Sequence, residues 1–183
     1  SALKKGYRNL DGTSAEFFVR CRHGQGYSNS DIDRLNMQRY FYAGLFKRAR
    51  AMGLTCNVGC ECEFYLFEND DRGRPTRIPI DFGGYFDVAP LDAGENLRRD
   101  ICLTMEQMGM SPQHSHHESG HGQNEIDCHY AGPLKTADNV MMFKQIVRAV
   151  AMRNGIHASF LPKPLPDQAG SGLHINLSVS YTH

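Results

Sequence analysis

The stretch GCECEFYLF, residues 59–67, alternates two thiols with two carboxylates and then runs into aromatic and aliphatic side chains. A β-strand sends successive side chains to opposite faces. Cys60, Cys62, Phe64 and Leu66 therefore share one side, and Glu61, Glu63, Tyr65 and Phe67 the other. The thiols fall with the apolar residues and read as core fillers. Two carboxylates then stand side by side on the opposite face, where their repulsion asks for a compensating charge.

Working outward, the segment before this strand reads as a helix from Ser30 or Asp31, with Leu35, Tyr42, Leu45, Phe46 and Ala49 at helical spacings and Gly53 as its stop. Residues 1–30 are polar and Gly/Ser-rich apart from a short strand expected at Ala15 to Cys21. They read as a linker or the remnant of an N-terminal domain, with residues 31–183 as the main domain. After the strand, ENDDRGRPTRIPIDFGG (68–84) is dense in turn formers and reads as a loop. AGENLRRDICLTMEQMGM (93–110) reads as a helix that lines up Leu97, Ile101, Met105 and Met108 and ends at Gly109.

The polar, histidine-rich SPQHSHHESGHGQNEIDCHY (111–130) is punctuated like two strands joined by SGHG. LKTADNVMMFKQIVRAVAMRNG (134–155) carries the strongest helical pattern. Thr136 or Asp138 stands near its start, Val140, Phe143, Ile146, Val147 and Val150 lie on one face, and Gly155 follows its end. IHASFLP and SGLHINLSVS read as two further strands. No strand is followed by a phosphate-cradling glycine motif, so a doubly wound nucleotide fold is unsupported. The order fits an α+β fold: an antiparallel sheet with helices packed on one face and a wet opposite face.

Composition agrees with one globular domain, since 183 residues with 40% hydrophobic content can bury a core. Lys plus Arg and Asp plus Glu number 20 each, which argues against nucleic acid or an anionic membrane surface as partner. No apolar run approaches the roughly 20 residues of a bilayer span, and the start SALKKGYRNLDG lacks a signal-peptide core. A cytoplasmic location is the expectation. The six cysteines show no CxxC spacing, and reduced buried thiols are expected in preference to a soft-metal site at Cys60-x-Cys62.

On the face opposite the thiols, alternation in GQNEIDCHY places Gln123, Glu125 and Asp127 together, with Glu118 just before the turn. His174 sits in a strand whose Leu173, Ile175 and Leu177 are expected to be buried. Glu61, Glu63, Glu118, Glu125 and His174 form a set of hard oxygens plus one imidazole, suited to Mg²⁺ or Mn²⁺ more than zinc. Each member also has a plainer reading: strand glutamates as solvated residues, His116 and His117 as a loop pair or aromatic packing, and His174 as a satisfied core histidine.

GGYFDVAPLDAGENLRRDICLTMEQMGM, SHHESGHGQNEIDCHYAGPLKTADNVMMFKQIVRAVAMRNGIHASFLPKP and GSGLHINLS together resemble the catalytic domain of glutamine synthetase, from about Leu45 to Ser178. The resemblance implies ATP, glutamate and ammonia as ligands and two divalent cations, Mg²⁺ or Mn²⁺. One is held by Glu63, Glu118 and Glu125, the other by Glu61 and His174. It further implies that Tyr85 borders the ammonium pocket, that His117 lies toward ATP, and that the Gly170 backbone approaches the amino-acid substrate. The implied reaction is phosphorylation of the glutamate side chain followed by displacement of phosphate by ammonia. In the family the enzyme is a homo-oligomer, and its segments beyond this point carry further site residues, so this chain alone is expected to be inactive. A relative that uses another amine, and a non-catalytic metal- or nucleotide-binding fragment, are the alternatives. Cys60 and His121 stand where the family commonly has proline, and Ala169 where it has asparagine.

Overall fold

A computed structural model describes residues 47–181. The strand expected at 15–21 and positions 30–46 of the first helix lie outside the described residues. Residues 47–51 are helical, and Gly53 follows in the left-handed region at φ 74°, a conformation that ends a helix at little cost only for glycine. The elements in chain order are β1 (Leu54–Asn69), β2 (Pro75–Pro79), α1 (Glu95–Gln107), β3 (Pro112–His117), β4 (Gln123–Cys128), α2 (Pro133–Arg153), β5 (Ile156–Ser159) and β6 (Leu173–Tyr181).

Among the described residues one six-stranded sheet contains all the strands, in the order β2-β1-β4-β3, with β5 and β6 also paired to β1. The ladders of β1 with β2, β4 and β5, and of β3 with β4, are antiparallel. β1 reaches this role through its length, for different stretches of it pair with different partners. Tyr65 lies opposite both Gln123 of β4 and Ser159 of β5, and Phe67 opposite both Pro79 of β2 and His157 of β5. β2 lies within the stretch read as a loop. Its ends are prolines, which cannot donate to a ladder and confine such a segment to a sheet edge, so its pattern does not announce a strand.

The residues divide into two compact units. The larger, Gly59–Tyr130 with Asn139–Asn176, has its core on the thiol face of β1. Cys62, Phe64 and Leu66 pack with Leu97, Ile101 and Met105 of α1 and with Phe143, Ile146, Val147 and Val150 of α2. Phe64 meets Phe143 edge-on, with ring centroids 5.9 Å apart. Each such buried side chain contributes about 1.5–3 kcal/mol relative to exposure. Both helices thus share one core with one face of the sheet, as an α+β arrangement requires. In the smaller unit Val58 bridges Ala131, and the Thr136 hydroxyl donates to the Val58 carbonyl at 2.8 Å. Thr136 therefore lies inside α2 and not before it. α2 starts earlier, at Pro133, whose missing N–H costs nothing in a first helical turn.

Two expectations about faces are corrected. The face of β1 opposite the thiols is not wet, since Glu63, Tyr65 and Phe67 are all buried. The Tyr65 and Phe67 rings stack at 5.8 Å, and the Tyr65 hydroxyl is covered by the Ala169 carbonyl that accepts its hydrogen bond. Conversely Leu173, Ile175 and Leu177 of β6 are 45%, 61% and 67% exposed. Alternation identifies a face of a strand; it does not say what lies against that face.

Candidate functional site

The ladders of the larger unit bring the acids together row by row. In the β1–β4 pair Glu63 stands opposite Glu125 and Glu61 opposite Asp127, and in the β3–β4 pair His116 stands opposite Glu125. Directly opposed residues share a face, so the carboxylates form a block with an imidazole on its β3 side. His174 approaches from β6, its Nδ1 3.0 Å from Glu61 Oε2, while the Asn176 side-chain amide donates to Glu61 Oε1 at 2.7 Å.

Two sets of potential cation ligands result, Glu61 with Glu125 and His174, and His116 with Glu118 and Glu125; within each set the ligand atoms lie within 4.8 Å of one another. Glu125 belongs to both. Of the five residues expected as ligands, four enter these sets. Glu63 stands beside them, its Oε2 accepting from the Gln123 amide at 2.6 Å and the Gly172 N–H at 2.9 Å. His116 is the addition. Its Nε2 lies 3.4 Å from Glu118 Oε1 and 3.3 Å from Glu125 Oε2, a placement that depends on cross-strand register and is invisible to spacing along the chain.

The electrostatics fit a cation. Burial, then Asp127, a hydrogen bond with Glu118, and the charges of Glu63 and Glu118 push the Glu125 carboxyl up to about 8. Burial also raises Glu118, but hydrogen bonds from the Ser119 amide and hydroxyl and from Glu125 bring it below the usual range. Without a positive charge one of these acids holds a proton, the usual outcome for crowded carboxylates. Beside the two sets, His116 Nδ1 and Asp127 Oδ1 are buried with no hydrogen-bond partner, while the His116 nitrogen that faces Glu118 and Glu125 is Nε2. Oxygen-rich sets with single imidazoles suit Mg²⁺ or Mn²⁺.

Behind this face is a second, fully paired cluster that sequence reading missed. His117 is wholly buried, with Nδ1 2.6 Å from the Glu118 carbonyl and Nε2 2.9 Å from Asp81 Oδ1. Both partners are acceptors, so the protonated ring, with both nitrogens donating, is the form this site favours. Burial pushes its pKa down, but the bonds to Asp81 and the Glu118 carbonyl outweigh it and the net shift is upward. Asp81 also accepts from the amides of Gly83, Gly122 and Ala93. Buried Arg98 forks onto Asp92, and also donates to the Ser115 hydroxyl and the Asn124 side chain. Asp81, Asp92 and His117 are close enough to chelate an ion, but the guanidinium and these amides already occupy their oxygens.

The remaining expected residues lie at the rim. Tyr85 is exposed, its ring edge-on to both Phe86 and His116. Phe86, at φ 61° without being glycine, stacks on His116 at 4.4 Å and donates its amide to the His117 carbonyl at 3.0 Å. Gly170 is exposed and its carbonyl accepts from Gln123 at 3.0 Å.

An antiparallel α+β domain that gathers carboxylates and imidazoles onto a sheet face defines a protein with candidate cation-binding groups. The chain belongs to the glutamine synthetase catalytic-domain family, whose model matches residues 37–183. A second model, the LytR_cpsA_psr family, matches residues 1–58, less than half of the chain. The chain is 54% identical over 131 residues to a glutamine synthetase of Clostridium saccharobutylicum, covering 72% of this chain and 30% of that protein. It is 38% identical over 204 aligned positions to a glutamine synthetase of Staphylococcus epidermidis, covering 93% of this chain and 45% of the relative. Among solved structures, a GmaS/ADP complex superposes with a TM-score of 0.66 at 33% identity, over 76% of this chain and 32% of that one. A Plasmodium falciparum glutamine synthetase shares the fold, with a TM-score of 0.63 at 24% identity over 74% of this chain and 32% of that one. The chain thus spans 30% to 45% of the length of these curated relatives.

Proposed function

We propose that this chain supplies the cation-binding part of an enzyme that ligates ammonia to glutamate at the expense of ATP, giving glutamine through a γ-glutamyl phosphate. The observation that carries the reading is the buried Glu125 carboxylate shared by two ligand sets whose other members are partly or fully exposed. A carboxylate is a poor electrophile. Transfer of the terminal phosphoryl group of ATP to the glutamate side chain makes one oxygen a leaving group, and ammonia then displaces phosphate.

Bound divalent cations supply the neutralisation of phosphate charge that governs such transfers, a contribution of several kcal/mol. Glu63, Glu118 and Glu125 would hold one, and Glu61 and His174 the other, with Glu125 between them. Glu63 is presented by the Gln123 and Gly172 donors, and Glu118 by the Ser119 amide. His117 serves the ATP side through position, holding the Glu118 backbone from a buried ring. The Tyr85 ring borders the amine site, and the Gly170 backbone faces the amino-acid substrate.

The test is calorimetric titration of Mn²⁺ into the chain, with and without a non-hydrolysable ATP analogue. Saturable binding that the analogue strengthens is expected. Outer partners of metal ligands typically cost 10–100-fold, so Glu125→Ala, a direct ligand change, should weaken Mn²⁺ by at least about 100-fold. Unchanged affinity in a folded Glu125→Ala protein overturns the assignment. In the parent-length enzyme, turnover with ammonia compared with bulkier amines decides the acceptor.

A further inference from the structure

Gln123 is completely buried, and its amide group meets four partners. The nitrogen donates to Glu63 Oε2 at 2.6 Å and to the Gly170 carbonyl at 3.0 Å, while the oxygen accepts from the Gly120 amide at 2.9 Å and lies 3.4 Å from the Tyr65 hydroxyl oxygen. A primary amide offers two donors and two lone pairs, so both donors and one lone pair of this side chain are used. Three of the four partners lie in different parts of the site: a carboxylate assigned above to a cation, the 169–172 loop, and the turn that follows Glu118.

The loop is held to the same carboxylate a second time, because the Gly172 N–H donates to Glu63 Oε2 and the Gly172 carbonyl accepts from the Glu63 amide at 3.1 Å. Tyr65 adds a third tether, its hydroxyl donating to the Ala169 carbonyl at 2.5 Å. The approach is so close that a Cβ at Gly172 would stand 2.7 Å from Glu63 Oε1, and one at Gly120 2.8 Å from Gln123 Oε1. Both donors to the Glu63 carboxylate fall on Oε2, which fixes its plane and turns Oε1 away from them.

We propose that Gln123 is a positioning residue that couples the cation site to the amino-acid-binding loop, so that occupancy of one prepares the other. The inference rests on the site reading above. Any pull on the Glu63 carboxylate is transmitted through one rigid amide to the Gly170 carbonyl, and buried networks of this kind, when fully satisfied, hold a single geometry. Linkage requires reciprocity: glutamate must tighten the cation by the factor by which the cation tightens glutamate.

The coupling factor is the measurement. Mn²⁺ affinity is determined by titration with and without saturating L-glutamate, in the wild-type chain, in Gln123→Ala, and in Tyr65→Phe, whose ring keeps its packing if the first variant fails to fold; thermal melts check folding. Hydrogen exchange at the Gly172 amide gives a readout independent of turnover. In the wild type, glutamate should tighten Mn²⁺ about tenfold, within the usual range of such couplings, and Mn²⁺ should slow exchange at Gly172. In Gln123→Ala the coupling factor should fall to about one and the affinity for Mn²⁺ alone by about tenfold. In Tyr65→Phe, which leaves the Gln123–Glu63 bond in place, coupling should drop by about threefold, a partial loss on the same scale. A merely structural role would lower melting temperature with the coupling factor intact. Coupling retained in both folded variants, or absent from a wild type that binds Mn²⁺, overturns the inference and leaves the cation site standing. A wild type that binds no Mn²⁺ overturns both.

Discussion

Asp81 accepts from the His117 ring and three backbone amides, so its charge is built into the loop that follows β2. Burial raises its pKa, but the hydrogen bond from His117 and the amides of Ala93 and Gly122 bring it below the ordinary 3.8. A depressed acid stabilises the fold above its unfolded pKa, and that contribution disappears as pH falls through the folded value. His117 is raised, so its contribution is complete below the ordinary 6.5 and is lost as pH climbs through its folded value. The pair is therefore fully effective between about pH 4 and about pH 6.5. Thermal melts of the wild type and Asp81→Asn across pH 5 to 9 should show the largest difference at the acid end, narrowing as pH rises. A difference that widens toward pH 9 contradicts the pairing.

The acids were legible at this scale because each declares itself by charge and alternation. Gln123, Arg98 and His116 were not. Gln123 reaches Glu63 across 60 positions and Arg98 reaches Ser115 across 17, while His116 meets Glu125 only through the register of β3 against β4, and no spacing along the chain encodes these pairings.

At the scale of elements, β1 was readable because its thiol face follows the period-two rule and packs as the rule requires. Phe64 touches both Phe143 and Phe160, at 5.9 and 5.7 Å between ring centroids. Phe64→Ala should cost about 3–5 kcal/mol, the usual range for a buried aromatic, read from urea midpoints of the full chain. The turn between β3 and β4 is equally demanding. Gly122 has φ 68°, and a Cβ there would lie 2.7 Å from the Leu66 carbonyl, so Gly122→Ala should destabilise the chain by at least about 1 kcal/mol in the same assay. β2 and the exposed side of β6 escaped the reading for a common reason. An edge strand carries prolines or unpaired apolar residues whose meaning depends on what adjoins it, which is tertiary information.

At the scale of the whole molecule, family and fold class follow from motifs that stand in order along the chain. The reaction as a whole does not, since the chain spans 30% to 45% of its curated relatives. Supplied with ATP, Mn²⁺, glutamate and ammonia, this chain by itself should release no phosphate above the enzyme-free rate, while retaining Mn²⁺ binding. Steady turnover by the isolated chain would show that its own residues complete the site.

The stack of Phe86 on His116 has an optical consequence. The chain contains no tryptophan, so Phe86→Trp would create a single emitter lying flat against an imidazole that faces Glu118 and Glu125. Mn²⁺ is paramagnetic and quenches nearby indoles, whereas Mg²⁺ is colourless and diamagnetic. Comparing the two ions in one cuvette would distinguish light lost to the metal itself from light lost because the ring beneath the indole had moved.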